Sequence, residues 1–274
     1  MIMLLDNLFS YQFIQKGLIA IILMSIILPL IGLNVVTKKI SMIGDTISHT
    51  SLCGIAIGLA CGTLPIYMAI IVSIIGGVII EIIRNKFSKY AEISLSIVMS
   101  LSIGIAGIMT SYAAGNKFES YLFGSLLTVT YNDIYVLIGL FIIVLATFFI
   151  FYRTNLMIGF SSIEAKVEGI NVYLINIINM VVISCTIAIC STIIGSLLVS
   201  SIMIIPVACS LQVCKKFSLT CIVSICISLI TSFVGLIISY YADINTSSTI
   251  VLLGVGVLLI ILIFKPVLKL IKKR

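Results

Sequence analysis

The chain has 274 residues, of which 61% are hydrophobic and 9% are charged, and its mean hydropathy is +1.35. Soluble domains are roughly 45–50% apolar and about 25% charged, so the composition excludes a water-soluble globular fold and predicts a polytopic membrane protein. The net charge of +7 does not indicate a nucleic-acid partner, because the basic residues are dispersed among short linkers between apolar runs.

Apolar runs follow one another along the whole chain, and each is long enough, or nearly so, for the roughly 20 residues that cross a bilayer. They cover residues 13–36, 40–62, 65–83, 93–111, 134–152, 173–194, 196–213, 219–241 and 249–264. We therefore predict an all-α bundle of about eight or nine spans, surrounded by lipid. Residues 1–274 then form a single membrane domain, with no room for a separate soluble one.

The basic residues are distributed unevenly between the two sides of this bundle. If each run spans once, five connections fall on one side and hold most of the cations. The basic residues in these five connections are Lys38, Lys39, Arg84, Lys86, Lys89, Arg153, Lys166, Lys215, Lys216, Lys265, Lys269, Lys272, Lys273 and Arg274. The positive-inside rule makes that side the cytoplasm. Near it, Glu81 and Arg84 are three residues apart, which predicts an interfacial ion pair.

Two of the runs, 41–62 and 195–213, are rich in glycine and serine. This composition predicts broken or re-entrant helices, which membranes tolerate only inside a bundle and often along a substrate path. Ser200 and Pro206 in the second run are candidate path-lining residues. Serines in membrane helices also bond neighbouring backbone, so a packing role stays open for them.

The first of these runs contains the only histidine of the chain, His49, four residues after Asp45. On a helix the two side chains lie one turn apart on one face and can hold an ion between them. Ser41 and Ser48 extend this polar stripe as candidate path-lining residues. An intramembrane Asp costs about 2.5–3.5 kcal/mol on insertion scales and is a functional-site hypothesis by default. A buried Asp–His hydrogen bond that fixes helix packing is the alternative.

One Asp and one His are too few for a complete zinc site, which usually has three or four protein ligands. A homodimer with this helix at its twofold axis would bring together two of each. The single histidine also excludes H-E-x-x-H proteases and three-histidine hydrolytic sites. No cofactor is expected to be bound permanently.

The chain lacks the G-x-x-x-x-G-K-[ST] loop that binds ATP, so any ATP hydrolysis would belong to a partner. The eight cysteines include no C-x-x-C pair. They are interpreted as small apolar packing residues. These patterns do not indicate an enzyme.

The cytoplasmic connection 153–171 predicts a short helix of its own. The segment 161–164 matches a capping box, and Gly169 stands where a glycine ends a helix. Ile163, Val167 and Ile170 recur on one side, as expected for a helix that enters a groove on another protein. A helix lying on lipid is the alternative.

The segment 42–54 resembles the zinc/manganese permease family of ABC importers, whose pattern is G-D-x-x-[SA]-H-x-x-x-x-G. Gly44, Asp45, His49 and Gly54 match it. The likeness continues over residues 121–130, 195–208 and 249–252, and so over almost the whole chain. The zinc-uptake members are the most similar in the first segment. Ser125 stands where some zinc relatives have an acidic residue, so manganese and iron remain alternatives.

This resemblance implies a membrane-spanning permease subunit in the plasma membrane of a prokaryote, with Asp45 and His49 as transient contacts for Zn²⁺ or Mn²⁺. It implies that the segment 164–169, including Glu164, Ala165, Glu168 and Gly169, couples to the ATPase. The implied partners are a second copy of the chain, cytoplasmic ABC ATPase subunits and an extracytoplasmic metal-binding protein. A proton-coupled carrier that titrates Asp45 and His49 is the rival hypothesis, and a structural or sensory membrane protein is a third.

Overall fold

The computed structural model describes residues 12–87, 91–112, 124, 129–214 and 216–271, and this part of the chain forms eleven helices and no strand. The helices are α1 Gln12–Thr37, α2 Ile43–Ala60, α3 Pro65–Lys86, α4 Ala91–Tyr112, α5 Tyr131–Ile150, α6 Tyr152–Phe160, α7 Ser162–Val167, α8 Val172–Ile194, α9 Ser196–Val213, α10 Phe217–Ala242 and α11 Thr246–Ile271. Of the stretch 121–130, only Gly124, Val129 and Thr130 lie within the described residues.

The predicted all-α bundle with eight or nine spans is confirmed. Among the described residues, eight helices are long and apolar enough to cross a membrane. The ninth long helix is α2, which is more polar because it carries Asp45, His49 and several hydroxyl side chains. A helix is the form these apolar runs take because it satisfies every backbone donor and acceptor within the segment, which lipid cannot do.

The expected breaks within 41–62 and 195–213 are absent, since residues 43–60 and 196–213 each form an uninterrupted helix. Several of their hydroxyl groups bond the backbone of the same helix, as in Thr46 Oγ1 to Met42 O at 3.1 Å and Ser210 Oγ to Val207 O at 2.8 Å. Such bonds let polar residues sit in a continuous membrane helix. The interruption falls instead at Gly195, which alone separates α8 from α9 and has φ 88°. That left-handed value suits glycine.

Helix α2 lies in the middle of the bundle, packed against α3, α4, α8 and α9. Small residues allow this close approach: a Cβ at Gly54 would stand 2.5 Å from the Met68 carbonyl oxygen of α3. On the far side of α3, Ile71, Ile75 and Ile79 are exposed at four-residue spacing. An exposed apolar stripe of this kind is typical of a membrane helix at the outside of a bundle.

Gly54→Ala is expected to destabilise the bundle, because the new methyl group would overlap backbone atoms of α3 that cannot rotate away. Overpacking of this kind costs about 1–3 kcal/mol. The control is Gly139→Ala on α5, where a Cβ meets no described atom within 4 Å. Thermal unfolding of both variants in detergent measures the difference. Equal melting temperatures would contradict the tight α2–α3 contact.

Candidate metal site on the second helix

The sequence-predicted pair, Asp45 and His49, lies on the first two turns of α2. From Ile43 to Ala56, these are the only two residues that are not buried. Both are partly exposed, one turn apart on the same side of the helix. The first turns of an otherwise buried helix segment therefore leave a carboxylate and an imidazole partly accessible on one side. Asp45 also lies in the first helical turn, where the helix dipole favours negative charge.

Neighbouring polar side chains of α2 are engaged in packing. Thr50 Oγ1 donates to the Thr46 carbonyl oxygen at 2.8 Å and lies 3.0 Å from the hydroxyl of Ser102 on α4. Ser51 Oγ lies 2.9 Å from Ser191 Oγ on α8. Within the described part of the chain, by contrast, Asp45 and His49 make no hydrogen bond or ion pair. The Asp–His hydrogen bond considered as the alternative is not formed.

The depth of the pair follows from contacts along α8. Asn176 accepts a hydrogen bond from Lys38 at 2.8 Å near the cytoplasmic end, and Ser191 meets Ser51. These two positions on α8 are fifteen residues apart, or about 22 Å of helix. Asp45 and His49 precede Ser51 by six and two residues, so they lie roughly 9 Å and 3 Å nearer the start of α2. Along the helix axis, both therefore lie between the levels of Asn176 and Ser191 on α8, which is itself long and apolar enough to span a membrane.

The described residues hold no group of three or more His, Cys, Asp or Glu side chains that could bind a metal ion. Asp45 and His49 are two potential ligands on one chain, whereas structural zinc sites take four in tetrahedral arrangement. Carboxylate oxygen and imidazole nitrogen suit zinc, manganese and iron alike. The described part of one chain therefore offers too few ligands for a complete zinc site.

The four candidate path-lining residues are placed differently from one another. Ser200 on α9 lies beside the start of α2, with its Cβ 3.2 Å from where a Cβ on Gly44 would stand. Ser48 is 2% exposed, and its Oγ has no hydrogen-bond partner among the described atoms. Ser41 is exposed just before α2, and Pro206 is buried within α9. Ser200 is the one that the packing brings next to the Asp45 turn.

The predicted cytoplasmic helix is α7, and its ends have the expected form. Ser161 Oγ accepts from the Glu164 amide at 3.3 Å. The reciprocal half of the capping box is missing, because the Ser161 amide donates to the Met157 carbonyl oxygen instead. At the other end, Gly169 has φ 82°, and its amide and that of Ile170 bond back to carbonyls of α7. This is a Schellman motif.

The side chains of α7 divide into an inner and an outer set. Ala165 is fully buried against Ile158 and Val172, and Ile170 packs on the same cluster. The spacing predicted that Ile170 would share the outer face with Ile163 and Val167. The structure shows that it does not. The outer face instead includes Phe160: it is 86% exposed, Ile163 is 75% exposed and Val167 is 84% exposed. We call these three residues the α7 apolar face. Glu164 and Glu168 are exposed at its borders.

Sequence reasoning missed a set of buried polar residues between α7 and α2. The predicted ion pair between Glu81 and Arg84 is present, at 3.4 Å, and Glu81 is only 2% exposed. Asn155 on α6 and Asn179 on α8 exchange two amide hydrogen bonds, at 2.7 and 3.3 Å, and both are buried. The available signal was the asparagines at 176 and 179 inside an apolar run, since such residues bond across membrane helices.

Comparison with known proteins places this architecture in a family. Residues 10–265 match the model of the ABC 3 transport family. A "probable metal transport system membrane protein" of Treponema pallidum is 33% identical, over 92% of this chain and 96% of that protein. The "high-affinity zinc uptake system membrane protein ZnuB" of Buchnera aphidicola is 31% identical, over 88% and 94%. The "manganese transport system membrane protein MntC" of Halalkalibacterium halodurans is 25% identical, over 95% and 90%.

The fold is also known from a solved structure, PsaBC from Streptococcus pneumoniae in complex with Fab. One of its chains superposes with a TM-score of 0.82 at 24% identity, covering 94% of this chain and 93% of that one. The family match spans nearly the whole sequence, and the named relatives are membrane components of metal transport systems. This multi-pass bacterial membrane protein therefore belongs to the ABC 3 transport family of metal transporter permeases.

Proposed function

We propose that this chain is the membrane-spanning permease subunit of an ATP-driven importer for a divalent metal ion, zinc in the first instance. The observation that carries the proposal is the partly exposed Asp45–His49 pair on the otherwise buried start of α2. Hydrogen bonds or ion pairs within the described chain do not occupy these two groups. They remain free to contact a passing ion.

A second copy of the chain completes the site. Twofold symmetry that apposes the two Asp45–His49 pairs supplies two carboxylates and two imidazoles, the number that a tetrahedral zinc ion takes. Two ligands from each side also suit release, because separating the protomers halves the coordination. We propose zinc before manganese or iron because the segment 42–54 resembles that of the zinc-uptake members of the family.

Energy would come from cytoplasmic ATPase subunits docked on the α7 apolar face. Three large apolar side chains exposed on a capped cytoplasmic helix fit the helix-in-groove mode of recognition. An extracytoplasmic binding protein would deliver the metal to the opposite side. The rival proton-coupled carrier has no need of such a docking helix.

Uptake of zinc and of manganese into vesicles that contain this chain, its ATPase and its binding protein tests the proposal. Zinc accumulation that requires both ATP and the binding protein is the expected result. ATP-driven accumulation of manganese but not zinc would show that manganese is the substrate and would leave the proposed mechanism unchanged. Uptake driven by a pH gradient without ATP would overturn the proposal in favour of the carrier.

A further inference from the structure

The α6–α7 segment, which carries the docking face, contacts the short turn 37–42 that leads into α2. At Gly159 of α6, a Cβ would stand 3.3 Å from the Thr37 Cβ at the end of α1. Because Thr37 ends α1 and α2 begins at Ile43, the α6–α7 segment contacts the chain shortly before the metal helix.

A second connection between the same two regions runs through polar side chains. Asn155 of α6 is joined to Asn179 of α8 by two hydrogen bonds, and both side chains are buried. One turn earlier on α8, Asn176 Oδ1 accepts from Lys38 Nζ at 2.8 Å. Lys38 is the residue that directly follows α1. We call Asn155, Asn179, Asn176 and Lys38 the amide bridge.

Both ends of the amide bridge are held by rigid local structure. At the docking end, Ile158, Ala165 and Val172 form one buried cluster that ties α6, α7 and the first turn of α8 together. At the other end, the amide of Ile40 bonds to the Val35 carbonyl oxygen at 3.2 Å and the amide of Ile43 bonds to the Ile40 carbonyl oxygen at 3.0 Å. Lys38 therefore lies in a hydrogen-bonded turn that continues directly into the start of α2.

The surroundings of Lys38 disfavour its positive charge on balance, and the hydrogen bond to Asn176 offsets part of that cost. Burial, and then the nearby Arg84 guanidinium, lower the pKa of Lys38 to about 8, while the Glu81 carboxylate opposes that change. Lys38 therefore remains mostly protonated at pH 7. A protonated lysine that is partly buried requires hydrogen-bond acceptors, and Asn176 Oδ1 provides one.

We infer that the amide bridge is the positioning element that transmits movement of the α7 docking helix to the Asp45–His49 turn. This inference rests on the proposed function, because it supposes that an ATPase moves α7. Its members are positioning residues, since they lie on the cytoplasmic side of the metal pair and act through the 37–42 turn. Loss of the amide bridge should uncouple ATP hydrolysis from metal transport.

Metal ions imported per ATP hydrolysed, measured in the assembled transporter, give the first test. Asn155→Leu and Asn179→Leu, alone and together, remove the paired amides at similar volume. We expect uptake to fall about tenfold while ATP hydrolysis stays within about twofold, and the double variant to be no worse than either single one. Asn85→Leu, on the exposed cytoplasmic end of α3, should leave the ratio unchanged. A parallel loss of metal uptake and ATP hydrolysis, or an unchanged ratio of the two, would overturn the proposed role of the amide bridge.

A second test follows the turn itself and does not depend on which metal is carried. The chain has no tryptophan, so Met42→Trp, at a position 56% exposed just before α2, gives it a single reporter. Emission from the partner subunits is subtracted with a complex that lacks the substitution. ATP should shift the reporter emission, and Asn155→Leu with Asn179→Leu should reduce that shift by at least half. An equal shift in both backgrounds would overturn the inference, whereas the absence of any ATP effect would count against the proposed function as well.

Discussion

Asp45→Asn is expected to reduce metal uptake by at least about 100-fold at low metal concentration, without preventing assembly of the bundle. The amide keeps the shape of the side chain but removes the anionic oxygen that binds a cation. Changes to groups that only orient a metal ligand already cost roughly 10–100-fold, so loss of a direct ligand should cost no less. Uptake of radioactive zinc into vesicles at equal protein content measures the effect, and His49→Gln should behave in the same way.

Asp243→Asn is the matched control for this prediction. Asp243 caps α10 in the left-handed region at φ 51°, a conformation that Asn adopts as readily as Asp. The same chemical change is therefore made far from α2 with little structural cost. Uptake in the control should equal that of the unmodified protein. If Asp45→Asn also kept full uptake, Asp45 would be a packing residue and the metal would follow another path.

The symmetry of the proposed site adds a stoichiometric expectation. If two Asp45–His49 pairs share one ion, equilibrium dialysis should find one zinc per two chains, and Asp45→Asn should remove it. One ion per chain would instead require ligands beyond Asp45 and His49.

Features of this molecule that depend on neighbouring residues could be predicted from the sequence. The helical runs, the serine cap at Ser161 and the glycine at 169 follow from periodicity and local backbone chemistry, and the structure confirms them. The positions of Asp45 and His49 on one helical face follow from their four-residue spacing. Their shared exposure could not be predicted, because it depends on how α3, α4, α8 and α9 enclose the rest of α2.

Other expectations failed because the deciding contacts join distant parts of the chain. Glycines at 54 and 58 looked like helix breakers, yet they provide close packing against α3, which stabilises an unbroken α2. Ile170 has the right spacing for the outer face of α7, but Gly169 turns the chain and places it on the inner cluster. The Lys38–Asn176 bond joins residues 138 positions apart, and local pattern carries no information about such a pair.

Ile163→Glu with Val167→Glu is expected to prevent stable assembly with the ATPase while leaving the membrane bundle intact. Both side chains are largely exposed in the chain alone, so replacing them costs the permease little. In a complex, burial of each apolar side chain would contribute roughly 1.5–3 kcal/mol to binding. Loss of both contributions would increase the dissociation constant at least about 100-fold. Affinity of the purified permease for the ATPase measures this directly.

Ser162→Glu serves as the control, because it places the same charge on the first turn of α7, about 100° around the helix from Ile163. A carboxylate there also lies at the helix N-terminus, where the dipole favours it. Assembly should survive this change. If both variants assembled normally, the α7 apolar face would be a lipid-contacting surface and the ATPase would dock elsewhere. Selective failure of the Ile163→Glu, Val167→Glu variant, with its melting temperature unchanged, would identify α7 as the docking helix and place the start of the amide bridge directly beneath the ATPase.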